Sequence, residues 1–170
     1  MVKSTLVLGG ARSGKSRYAQ TLAEASGLAP VMVATAEAGD AEMAARIARH
    51  RAERDARWTT REAPRDLAGA LAEEARPERI VVVDCVTLWL SNLMCAGEDA
   101  EAAGLALAAR IATLAGPVVL VSNEVGFGLV PETELGRAFR DVQGRVNQAL
   151  AAVVERAVLV VAGLPVVLKG

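Results

Sequence analysis

Eight residues close to the N-terminus constrain this chain more than any other feature: Gly9-Gly10-Ala11-Arg12-Ser13-Gly14-Lys15-Ser16. They follow a short apolar run, Thr5-Leu6-Val7-Leu8, and lead into a segment compatible with a helix. The eight fit the pattern G-x-x-x-x-G-K-[ST] in full, and strand–loop–helix is the context that pattern requires. Glycines let backbone N–H groups turn inward and approach phosphate oxygens with no Cβ in the way. A helix opening at Lys15 adds the partial positive charge of its N-terminus. In such a loop Lys15 reaches the β- and γ-phosphates of a nucleotide, and the Ser16 hydroxyl ligates Mg²⁺. Gly9 through Ser16 are therefore candidate nucleotide-binding residues.

The rest of the chain repeats the same alternation. Short β-branched runs near 4–8, 30–34, 79–84, 117–122, 157–162 and 165–168 read as strands. Longer Ala/Leu/Arg segments at 15–26, 40–54, 65–75, 99–115 and 133–154 read as helices. Leu135, Phe139, Val142, Val146 and Leu150 recur at spacings of three and four and predict one apolar face for the last helix. Val86–Met94 is largely apolar and open between an extension of the strand and a helix; it is read as a helix. This order predicts an α/β fold, a mostly parallel sheet flanked by helices, in one domain over residues 1–170. The apolar C-terminal stretch 157–168 is broken by Gly163 and Pro165 and falls short of the ~20 residues of a membrane helix. It predicts a buried strand pair.

Composition excludes several functions. Net charge is −1 and aromatics are 3% of the chain, so neither a positive field nor stacking platforms point to a nucleic acid. Two cysteines, Cys85 and Cys95, and a single histidine do not assemble a four-ligand zinc site. They do not resemble a disulfide framework either, which favours a cytoplasmic location.

Two further features bear on chemistry. Ile80-Val81-Val82-Val83-Asp84 is a buried strand ending in an acid, at the edge where α/β sheets bind ligands. Asp84 is a candidate second Mg²⁺-holding residue. The lone His50 lies in the segment 40–54, where Met43, Ile47, His50 and Arg54 share one helical stripe among Arg46, Arg49, Arg51 and Arg57. One reading is a satisfied structural histidine in a basic helix. The other is a neutral nucleophile: like-charge repulsion from the arginines depresses its pKa, and the ring attacks the α-phosphorus of a bound nucleotide.

Taken in order, these stretches resemble the bifunctional adenosylcobinamide kinase/adenosylcobinamide-phosphate guanylyltransferase family of cobalamin biosynthesis. The matching residues are Gly9–Arg17, Ala34-Thr35-Ala36, Glu42-Met43 through Arg46-Ile47 to His50-Arg51, Trp58–Glu62 and Val83–Trp89. Ser122-Asn123-Glu124-Val125-Gly126, Arg137–Asp141 through Gly144 to Asn147-Gln148, and Ala162-Gly163-Leu164 complete them. The resemblance implies a RecA-like P-loop fold, phosphorylation of adenosylcobinamide with ATP or GTP, and then GMP transfer from GTP through a histidine. It implies that His50 is the guanylylated residue, with Lys15 serving phosphoryl transfer. Ala34, Thr35, Ala36, Arg51, Arg54, Glu62 and Asp84 would lie around the nucleotide and its metal. It also implies a homotrimer acting on a corrinoid, with no nucleic acid and no membrane insertion. The shortage of aromatics suggests that an aliphatic or inter-subunit surface holds the corrin ring. Glu124 is a candidate for positioning the acceptor hydroxyl. From the residues alone, a simple small-molecule kinase with a structural His50 and a non-enzymatic nucleotide switch stay open beside this reading.

Overall fold

The computed structural model describes residues 2–37 and 54–170. Seven strands form a single sheet in the order β3-β2-β4-β5-β1-β6-β7. They are β1 (Ser4–Gly9), β2 (Ala29–Ala34), β3 (Thr59–Glu62), β4 (Arg79–Asp84), β5 (Val118–Asn123), β6 (Arg156–Val161) and β7 (Leu164–Lys169). β7 alone pairs antiparallel, to β6; every other pairing is parallel. Five described helices connect them: α1 (Lys15–Ala25), α2 (Leu67–Glu74), α3 (Val86–Cys95), α4 (Ala100–Ile111) and α5 (Glu134–Val153). The expected helix 40–54 lies outside the described residues apart from its last position.

Strand alternation divides the core into two layers. Leu6, Leu8, Val31, Val33, Val81, Val83, Val118 and Leu120 pack under α2, α3, α4 and α5. Val7, Met32, Ile80, Val82, Val119, Val121, Val158 and Val160 pack on the other face with Ala19 and Ala23 of α1. The central strands are buried on both faces, which is why they read as continuous apolar runs rather than alternating ones.

Helix starts follow their caps. Asp66, Asp99 and Thr133 each accept a hydrogen bond from a backbone N–H three residues on, satisfying groups that a helix leaves open. Gly104 of α4 lies so close to Val146 of α5 that a Cβ there would come within 2.9 Å of Val146 Cγ1, which fixes how tightly these two helices approach.

Three expectations need correction. β3 was not foreseen: Thr59-Thr60-Arg61-Glu62 is a polar strand beside β2 with almost every residue exposed, so it carries no apolar signature. The C-terminal strand pair forms, but only β6 is buried. All six residues of β7 are exposed because it is the outermost strand. On α5, Val146 and Leu150 are fully buried and Phe139 and Val142 partly so, whereas Leu135 is 62% exposed in the first turn.

Candidate functional site

The parallel strands end on one edge of the sheet, and the singled-out residues gather there. β1 runs buried to Gly9 and the chain then turns through the loop into α1. A Cβ at Gly9 would lie 2.7 Å from the Val160 carbonyl oxygen and closer still to Ser13 Oγ, so only glycine fits between the loop and β6. Arg12 and Gly14 take left-handed φ values of 55° and 96°, and the Ser13 N–H donates to the Gly10 carbonyl at 3.3 Å. Gly14 caps α1 with no side-chain acceptor, which leaves the first N–H groups of the helix for an anion. Lys15 is buried and its Nζ donates to the Gly10 carbonyl at 3.1 Å, folding the ammonium over the loop. Ser16 follows as the second residue of α1.

The loop is braced from behind. The turn between β6 and β7 is made by Ala162 and Gly163, both left-handed at 51° and 81°. The Gly163 N–H donates to the Ser13 carbonyl at 2.8 Å, and a Cβ on Gly14 would stand 3.2 Å from Gly163 Cα. On the other side, the Glu124 N–H donates to the Gly9 carbonyl at 3.0 Å. The Glu124 carboxylate accepts from the Gly126 N–H at 2.7 Å. Neither interaction had a signal beyond the turn-forming sequence around these residues.

Register aligns the acids. Ala34 of β2 stands opposite both Glu62 of β3 and Asp84 of β4, so the three lie abreast at the sheet edge. Val83 points into the layer under α3 and Val82 into the layer under α1. By alternation Asp84 points to the α1 side, the side of the phosphate loop. Cys85, just after it, has its thiol pushed up to about 11, first by burial and then by the Asp84 charge, while Lys15 pulls the other way. Asp84 and Lys15 are therefore within electrostatic reach of one thiol.

Thr35 is fully buried and works as framework. Its hydroxyl donates to the Cys85 carbonyl at 2.7 Å and accepts from the Cys85 N–H at 2.8 Å. Asn92 Nδ2 donates to the Thr35 carbonyl at 2.8 Å and to the Pro64 carbonyl at 3.0 Å. Thr35 thus holds the turn after Asp84 in place, while Ala34 and Ala36 are half-buried on either side. A cleft of about 540 Å³ lies beside this turn, lined by Ala36, Glu37, Arg65, Leu88, Asn92 and Cys95 among others. Arg54 is half-buried and its Nη1 donates to Thr60 Oγ1 of β3 at 3.3 Å. His50 and Arg51 lie outside the described residues. Arg137 and Arg140 donate to the carbonyls of Pro131, Glu132 and Leu129 and so hold the loop after Glu124. Among the described residues no three His, Cys, Asp or Glu side chains form a metal cluster, and no helix is long and apolar enough to cross a membrane.

A parallel sheet, a braced glycine loop opening into a helix, and an acid ending a strand one removed from the loop strand define a P-loop nucleoside triphosphatase fold. An ATPase of a bacterial type III secretion system aligns over 92% of this chain and 50% of its own, at 11% identity and a TM-score of 0.51. The P4 protein of bacteriophage phi6 in complex with ADP aligns over 96% and 52%, at 20% identity and a TM-score of 0.46. The chain spans about half the length of each. Residues 5–168 match the family of cobinamide kinase / cobinamide phosphate guanyltransferase, and the chain belongs to that family. A bifunctional adenosylcobalamin biosynthesis protein of Pseudomonas aeruginosa is 51% identical, covering 97% of this chain and 96% of its own. The proteins of that description from Salmonella typhimurium and Escherichia coli are each 42% identical, over 96% of this chain and 98% of theirs. Membership makes the chain an enzyme of the bifunctional type that these relatives represent.

Proposed function

We propose that the chain first moves the γ-phosphoryl group of ATP or GTP onto the free hydroxyl of adenosylcobinamide. It then carries GMP from GTP to that phosphate through a covalent adduct on His50. The observation that supports this most is the convergence of Lys15, Asp84 and the braced loop on one sheet edge within a family match that also spans His50.

In the first step the acceptor oxygen bonds to the γ-phosphorus, the bond to the β–γ bridging oxygen breaks, and the acceptor proton leaves. Lys15 would leave the Gly10 carbonyl for the β- and γ-oxygens and neutralise their growing charge. The Ser16 hydroxyl and the Asp84 carboxylate fit Mg²⁺, which takes one or two protein oxygens and completes its shell with phosphate and water. When bound, the ion supplies charge neutralisation at the phosphates. In the second step a His50 nitrogen bonds to the α-phosphorus of GTP and pyrophosphate leaves. The corrinoid phosphate then displaces the imidazole, giving adenosylcobinamide-GDP. Arg51, Arg54 and Glu62 would border the nucleotide during this transfer, and Thr35 would act by holding Asp84. The same reading makes the molecule a homotrimer in the cytoplasm, the former checked by light scattering.

Incubation with GTP and Mg²⁺ tests the reading. Wild-type protein should gain the mass of one GMP through an acid-labile, base-stable bond. His50→Ala should lose that adduct and guanylyl transfer while keeping phosphorylation. Wild-type protein that binds GTP and gains no mass refutes it.

A further inference from the structure

The alternation that turns Asp84 toward the phosphate loop turns a second residue there. Val118 and Leu120 of β5 face α3 and α5, and Val119 and Val121 face α1. Ser122 continues the first set, since its hydroxyl donates to Asn147 Oδ1 of α5 at 2.7 Å. Asn123 continues the second and therefore presents its side chain on the α1 side. Register sets Asn123 beside Gly9, the first residue of the loop. β5 itself runs between β1 and β4, whose last residue is Asp84. Asn123 thus stands between the loop and the acid, half-buried.

Its backbone is held from two helices. The Asn123 N–H donates to Thr87 Oγ1 of α3 at 2.7 Å, and its carbonyl accepts from Asn147 Nδ2 at 3.0 Å. Gln143, completely buried, steadies the second contact: its Nε2 donates to Ser122 Oγ at 2.9 Å and to Asn147 Oδ1 at 3.0 Å. Two buried polar side chains, Thr87 and Asn147, therefore hold the backbone of Asn123, and a third, Gln143, holds Asn147. Such groups are costly to bury, and here they form one connected network that ends on a residue facing the site. Among the described residues the Asn123 side-chain amide has no protein partner of its own.

We propose that Asn123 is a nucleotide-contacting residue, donating its side-chain N–H groups to the phosphate chain in the loop, and that Thr87 and Asn147 are the positioning residues that aim it. The proposal rests on the reading that Gly9–Ser16 binds a nucleoside triphosphate. A neutral amide suits this place, because it offers two donors to phosphate oxygens without the repulsion a carboxylate would add.

The test uses the full chain and a non-hydrolysable ATP or GTP analogue with Mg²⁺, followed by steady-state phosphoryl transfer to cobinamide. Asn123→Asp preserves size and backbone contacts, so its melting temperature should match wild type while analogue affinity falls at least 10-fold. Asn123→Ala should lower kcat about 100-fold, the usual effect of losing one donor to developing charge, with the KM for cobinamide unchanged. Thr87→Val should lower kcat about 10-fold, on the order of a small misplacement of a reacting group, and Thr87→Ser should restore it. Wild-type affinity in Asn123→Asp together with wild-type kcat in Asn123→Ala overturns the proposal, as does a Thr87→Ser that fails to restore kcat. Lys15→Ala is the control: if it too binds the analogue like wild type, the phosphate-loop reading has failed and the Asn123 proposal falls with it.

Discussion

Gly9→Ala and Gly10→Ala make a matched pair, because the two glycines share a motif and differ in surroundings. At Gly9 an added Cβ would stand 2.7 Å from the Val160 carbonyl and nearer to Ser13 Oγ. Ser13 can rotate away, but the Val160 carbonyl belongs to β6, which is paired to β1 at this position. The sheet must therefore yield, and overpacking of this kind costs about 1–3 kcal/mol. For a domain of this size each kcal/mol lowers Tm by about 2–4 °C, so Gly9→Ala should melt roughly 2–12 °C below wild type. At Gly10 a Cβ meets nothing within 4 Å, and φ there is not left-handed, so Gly10→Ala should melt within about 1 °C of wild type, as for other unstrained surface substitutions. The assay is thermal unfolding without ligand, repeated with a saturating ATP analogue. The added stabilisation should shrink for Gly9→Ala, since Ser13 lies in the loop that is displaced. A Gly9→Ala protein as stable as wild type, or one more stable than Gly10→Ala, refutes the claim that steric closure against β6 sets this glycine.

Thr35→Val keeps shape but removes the hydroxyl that bridges both polar groups of Cys85; the carbonyl keeps the Trp89 N–H, but the buried Cys85 N–H loses its partner, which should cost about 1–3 kcal/mol, read by urea unfolding, with weakened nucleotide binding because Asp84 precedes that turn. Cys95 is exposed and Cys85 buried, so a thiol reagent at pH 8 should label one site per chain, identified by mass spectrometry as Cys95, and two after unfolding. The raised Cys85 pKa adds a sign: its stabilising contribution is whole below the ordinary thiol value of 9.0 and is lost as pH rises toward about 11. A stability profile should therefore fall across that window in wild type and less steeply in Cys85→Ala.

Much of this fold was legible because the central strands are buried on both faces and flanked by glycine or acid. The loop, its strand and helix, and Asp84 could be placed from local pattern alone. What escaped depends on neighbours in space rather than on neighbours in sequence. Thr59–Glu62 becomes a strand by pairing with β2, not by its own polarity. β7 is as apolar as β6 but lies outermost, and sequence does not say which of two apolar strands is the edge. Thr35 reads as a site residue from its place in a motif, yet its hydroxyl serves the Cys85 peptide. Gln143 and Asn147 left a trace: two amides fall on the apolar stripe of α5 beside Val142 and Val146, where a polar residue needs a partner.

The place of β1 in the sheet has a consequence for synthesis. β1 finds its partners only in β5 and β6, with Ser4 opposite Val118 and Thr5 opposite Arg156. At roughly 5–20 residues per second on the ribosome, it waits on the order of ten seconds before either neighbour emerges. Until then its apolar residues are open to solvent or to chaperones, and the loop after it lacks the Gly163 and Glu124 contacts that shape it. Nucleotide binding is thereby tied to late emergence: a nascent chain stalled before β5 carries the whole phosphate-loop sequence without the neighbours that give it form.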